Sequence, residues 1–209
     1  MADLSGGLTG LLPKGFEAAL DTQKDPGAVK ALAAACDAAY DAYTTSCSHA
    51  VNAVIRDRLY AANPDDWPQR DANTLIGHLN GSTGWVKVTL DRAYELAQQG
   101  IVVVGGKTET GHGHVIVVYP GLKQPRGGYS ATDKAGKPYT VAKKGEFPRA
   151  MSASLGSWPG AKSRGDKTVW DPWANDTNFA LVKFWAPTSK SAATASVSGR
   201  LAAMVRRTG

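Results

Sequence analysis

The hydrophobic pattern of this 209-residue chain changes period once, near Gly100. Before that point apolar residues recur every three to four positions. Val29, Leu32, Ala33, Cys36, Tyr40 and Tyr43 make one stripe, and Val51, Val54, Ile55 and Leu59 make a second, the spacing of amphipathic helices. After it come short apolar runs at 101–104 and 114–119, bounded by Gly and Pro, which read as strands. Helices first and strands second predict an α+β domain with a mostly antiparallel sheet.

Local signals set the expected boundaries. Asp25 followed by Pro26 predicts the cap and first turn of a helix over 26–43. Thr44-Thr45-Ser46 interrupts it, and a second helix is expected over 47–60. Asn63-Pro64 and Trp67-Pro68 mark a loop. Shorter helices are expected at 73–79 and at 91–99, the latter capped by Asp91 and closed by Gly100. The stretch 105–113 reads as a turn, and the strand after it is expected to end at Pro120-Gly121. Residues 122–147, rich in Lys, Gly and Pro, predict a long basic loop or a small hairpin excursion, with further strands at 150–155, 168–170 and 179–185. The expected organisation is an N-terminal arm over 1–24, one domain over 25–187, and a basic tail over 188–209 with a short helix ending in Arg206-Arg207.

Charge and targeting narrow the function classes. The formal net charge is +6, but it is unevenly spread. Residues 1–120 hold 9 Lys/Arg against 13 Asp/Glu, and residues 121–209 hold 15 against 5. A basic second part suggests an anionic partner: nucleic acid, a membrane surface or an acidic wall polymer. The basic residues are scattered among Gly and Pro rather than interleaved with aromatics on one element, which argues against nucleic acid. No apolar run reaches the roughly 18–20 residues of a membrane span. The start Met1-Ala2-Asp3-Leu4 lacks the pattern of a signal peptide, so the expectation is synthesis in the cytoplasm without general secretion.

Two cysteines are too few for a disulfide scaffold and lack metal-ligand spacing, so no metal and no cofactor is expected. Cys36 lies on an apolar helix stripe and reads as a buried small hydrophobe. Cys47 directly follows Thr-Thr-Ser at a helix start, where unpaired N–H groups and the dipole favour a thiolate. The same N–H groups can donate to an oxyanion, which makes Ser46 and Ser48 cleft candidates. A Cys36–Cys47 disulfide would remove the nucleophile; a cytoplasmic origin argues against it. Four histidines could serve as base. His49 is two residues from Cys47 and points about 200° round the helix, making it a poor one, and His78 reads as a surface residue. His112 and His114 bracket Gly113 at the mouth of a strand, and the residues alone leave the choice between them open.

Ser46-Cys47-Ser48 opening a helix, followed by a hairpin whose second strand begins Gly-His-Val-Ile-Val-Val, resembles the papain-like cysteine peptidases of the NlpC/P60 and CHAP type. More specifically it resembles the amidase effectors of type VI secretion. The likeness runs through Arg70-Asp71-Ala72-Asn73, 93–106, 113–121 and 148–170, and covers most of residues 40–186. It implies a papain-like NlpC/P60 fold with Cys47 as nucleophile and His114 as general base, His112 being the alternative. The third member in such folds lies on the strand after the histidine strand. Ser152 falls at that position, in place of the Asn, Asp or His expected, with Ser154, Asp133 and Asp171 as alternatives. Among the tryptophans, Trp158, Trp170 and Trp173 lie in loop-like sequence where a cleft could use them.

The resemblance implies a monomeric peptidoglycan amidase toxin that cleaves a stem-peptide amide, the bond between D-glutamate and diaminopimelate. It would be carried by the secretion machinery to the periplasm of a rival bacterium and held in check by an immunity protein over the active site. Alternatives on the same fold are a phage-type lysin and a papain-like toxin acting on a protein. The alternative of another class is a non-catalytic basic module binding wall polymer or nucleic acid.

Overall fold

The structure is a computed structural model, and it describes residues 25–133 and 135–188. The expected N-terminal arm and all but the first residue of the expected tail lie outside the described residues. Helix α1 spans Pro26–Ala42, with the Asp25 carboxylate accepting from the Gly27 N–H at 2.8 Å. It buries Leu32, Ala35, Cys36 and Ala39, spaced as one helix face requires. Helix α2 spans Cys47–Leu59, and α3 spans Ala72–Gly81, capped by Asp71 through the Thr74 N–H. Helix α4 covers Leu90–Ala97, and its cap is Thr89 rather than Asp91: the Thr89 hydroxyl accepts from the Arg92 N–H. Helix α5 is the single turn Asp176–Phe179.

Six strands form one sheet: β1 (Trp85–Val88), β2 (Val104–Lys107), β3 (His114–Arg126), β6 (Lys144–Ser152), β7 (Ser163–Thr168) and β8 (Lys183–Pro187). Their order is β1-β8-β2-β3-β6-β7, and every neighbouring pair is antiparallel. Strands β4 (Tyr129–Thr132) and β5 (Pro138–Val141) form a separate hairpin. The α+β class and the antiparallel sheet expected from the sequence are therefore present.

Side chains alternate across the sheet, as the two-residue period demands. On β3, Val115 and Val117 pack with Leu32, Val54, Ile55 and Leu75 of the first three helices. Ile116 and Val118 face the opposite way, with Ala93, Leu96 and Trp173. The sheet is thus covered by α1, α2 and α3 on one side and by α4 and the 169–179 segment on the other. No helix among the described residues is long and apolar enough to cross a membrane.

Several boundaries differ from expectation. The 101–104 run enters its strand only at Val104, and the Gly105 and Gly106 positions belong to β2, not to a turn. Strand β3 does not stop at Pro120-Gly121. Its ladder with β6 breaks between Tyr119 and Gln124, where a proline without an N–H costs nothing and Gly121 takes φ +137°. The chain then resumes pairing, so 122–147 consists mainly of the ends of β3 and β6 with the β4–β5 hairpin between them.

Candidate active site

Cys47 is the first residue of α2. The turn before it is tied to the sheet by a backbone bond from the Ser154 N–H to the Thr44 carbonyl at 3.1 Å. Strand β6 ends at Ser152, so its ladder no longer supplies an acceptor to Val115 on the neighbouring strand. The Cys47 sulfur takes that place. It accepts from the backbone N–H of Val115, the residue after His114, and from the N–H groups of Ser48 and of Cys47 itself. These three donors favour a thiolate, yet burial outweighs them and pushes the Cys47 thiol above its usual range. The helix start therefore does not by itself produce the thiolate that the sequence suggested. Both cysteines are free thiols. Cys36 is wholly buried in the core, where lack of solvent drives its thiol strongly upward.

His114 opens β3 and points to the opposite face, with its Nε2 3.1 Å from Ser152 Oγ on β6. Val118 pairs with Ala150 and Val117 with Met151, so Ser152 is a diagonal neighbour of His114 on one face. Ser152 is fully buried, and its hydroxyl proton is given to the Ala161 carbonyl at 2.9 Å. A hydroxyl has one proton to donate. Ser152 Oγ must therefore accept from His114, which fixes the neutral imidazole as the Nε2–H tautomer and leaves the lone pair on Nδ1. Trp173 packs edge-on against the ring, centroids 5.1 Å apart at 73°. Burial pulls the His114 pKa down to about 4, opposed only in part by the Glu109 carboxylate, so the ring is neutral at pH 7.

The other sequence candidates lie apart from this pair. His112 is exposed in the turn before β3. Ser154 Oγ accepts from the Gly156 N–H at 3.0 Å, and Asp133 holds the hairpin tip through the N–H groups of Ala135 and Lys137. Asp171 is buried, but it serves the frame: it accepts from Gly127 N–H, Tyr129 Oη, Thr168 N–H and Thr168 Oγ1 at 2.8–3.0 Å. None of the three is bonded to His114, whereas Ser152 is. The Ser46 hydroxyl is engaged with His49 Nδ1 at 2.7 Å, and the His49 ring stacks on Tyr43. Ser48 meets Cys47 through its N–H rather than its hydroxyl. His78 is not simply a surface residue; it packs edge-on against the buried Trp67, and burial lowers its pKa. Of the three loop tryptophans, Trp173 touches His114. Trp170 is buried under the Arg126 guanidinium, and Trp158 donates to the Asp171 carbonyl at 3.4 Å.

Two asparagines that the sequence did not single out support the site. Asn52, fully buried one turn below the start of α2, donates to the carbonyls of Ser48 and Arg70 and accepts from Trp67 Nε1. Asn73 bonds the turn that precedes His114. A buried asparagine on a helix face was the available signal for the first. For the second, which acts across 36 residues, the signal was its place in the Arg70-Asp71-Ala72-Asn73 stretch of the resemblance, which gave it no role.

Among the described residues no group of three or more His, Cys, Asp or Glu could hold a metal ion. These residues offer a half-buried thiol among backbone donors and, in the residue before its Val115 donor, a neutral histidine with a fixed tautomer. No family model matches this chain, and no curated protein matches it.

Proposed function

We propose that this chain is a cysteine amidase of the papain-like NlpC/P60 kind that hydrolyses an amide of the peptidoglycan stem peptide, acting as a type VI secretion effector against other bacteria. The observation that carries the reading is the arrangement around the start of β3. The Cys47 sulfur sits on the Val115 N–H, and the preceding residue, His114, is oriented by Ser152 with Nδ1 unprotonated. With the thiol pushed up and the imidazole pulled down, the resting pair is neutral. The mechanism requires the His114 ring, which here faces Trp173, to come to the sulfur when substrate binds: Nδ1 then takes the thiol proton as sulfur attacks the amide carbonyl, and the imidazolium returns it to the leaving amine. The N–H groups of Val115 and Ser48 stand ready to stabilise the oxyanion. Water releases the acyl group from the thioester with His114 again as base.

Within this reading the D-glutamate to diaminopimelate bond is the expected substrate, and an immunity protein covering Cys47 and His114 is the expected partner. Purified sacculi test it. Wild type releases muropeptides carrying the new termini, identified by mass spectrometry, and Cys47→Ala releases none. Digestion that persists in Cys47→Ala overturns the assignment. Cleavage of a protein while sacculi stay intact favours the protein-directed toxin, and salt-sensitive binding without any cleavage favours the non-catalytic module.

A further inference from the structure

The turn at 108–112 is exposed, with Gly111 at φ +85°, and leads into the buried Gly113. Such a segment has few apolar contacts to hold it, yet it delivers His114 to the sheet. We infer that Asn73 is a positioning residue for His114, acting as a side-chain substitute for a strand neighbour along this turn. Its amide bonds Glu109 as a paired backbone would: Nδ2 donates to the Glu109 carbonyl at 2.9 Å, and Oδ1 accepts from the Glu109 N–H at 3.3 Å. Nδ2 also reaches the Gly111 carbonyl at 3.4 Å.

Gly113 lies directly against the same amide. A Cβ there would stand 2.3 Å from Asn73 Oδ1 and 2.9 Å from the Lys107 carbonyl, so the residue before His114 must be glycine for the turn to close on Asn73. Asn73 is itself fixed. It is the second residue of α3, and the cap of that helix, Asp71, holds Thr74 through both its N–H and its hydroxyl. Hydrogen bonds from Asn73 thus tie the capped start of α3 to Glu109 and Gly111, and Gly113, the residue before His114, packs against the same amide. This role rests on His114 being the base, as proposed above. Displacing a catalytic group by about 1 Å can cost on the order of a hundredfold in rate.

The test uses the full chain, 15N-labelled at histidine. In Asn73→Ala the His114 imidazole titration rises from about 4 towards the ordinary 6.5, because the loosened turn admits water. On sacculi kcat falls by about tenfold or more while KM changes less than about twofold. Far-UV circular dichroism stays unchanged. Should Asn73→Ala fail to fold, Asn73→Asp has the same size, loses both donated bonds, and gives the same two readouts. A His114 titration identical to wild type in a folded variant overturns the inference. The titration needs no substrate, so it decides the role of Asn73 even where wild type proves inactive on sacculi.

Discussion

His114 is held part-buried and neutral, and that has a thermodynamic cost at acid pH. Its folded pKa of about 4 lies below the ordinary 6.5, so between these values the unfolded chain binds a proton that the folded chain refuses. Stability therefore falls as pH drops from about 6.5 to about 4 and levels off below. Asp71, whose carboxylate is held down by Thr74, loses its contribution only at lower pH, as the solution passes through the carboxylate range. Urea midpoints measured across this range check the sign: wild type declines between pH 6.5 and 4, and His114→Gln declines less there. Equal slopes would show that burial of the imidazole does not govern acid stability. In the proposed mechanism the same burial explains why Ser152 would suffice as the third group. A serine cannot stabilise an imidazolium as a carboxylate would, but at a site whose resting histidine is neutral its task is to hold the tautomer.

At the scale of elements, the β4–β5 hairpin stands outside the main sheet and depends on its base. Asp171 fastens that base, joining Gly127 and Tyr129 at the hairpin to Thr168 at the end of β7. Asp171→Asn turns one acceptor oxygen into a donor facing donors, and should cost on the order of 3 kcal/mol in chemical denaturation. A loss within error would mean that the hairpin is held by other contacts. Local signals made α1, α2 and α3 legible, since caps and apolar spacing coincide there. Strand β1 was missed because Trp85–Val88 offers only four residues between Gly84 and Thr89. Strand β3 was cut short because Pro120-Gly121 reads as a stop, whereas a bulge accommodates both. Ser152 was legible only through the resemblance, which places a third group on the strand after that of His114; the role of Asn73 was not, because its partners lie on a turn far away in sequence.

Over the whole molecule, ion pairs bridge the acidic first part and the basic second part. Lys123 meets Asp91 at 2.9 Å, and Arg164 meets Asp41 at 2.6 Å and Asp37 at 3.8 Å. Two cations of the second part thus pair with acids of the first, while Lys137, Lys143 and Lys144 remain exposed on and beside the hairpin. The sheet joins the halves more strongly. Strand β8 lies between β1 and β2 and buries Phe184, Trp185 and Ala186, so a chain ending at residue 182 should show no cooperative thermal transition by circular dichroism. A sharp transition in that fragment would mean that β2, β3 and β6 form a sheet alone. The position of β8 also orders events during synthesis. Cys47, His114 and Ser152 all leave the ribosome earlier, but β1 and β2 have no strand to join them until the last described strand arrives. Pairings that distant in sequence form late, so the nascent chain carries every residue of the candidate site well before it has the frame that holds them.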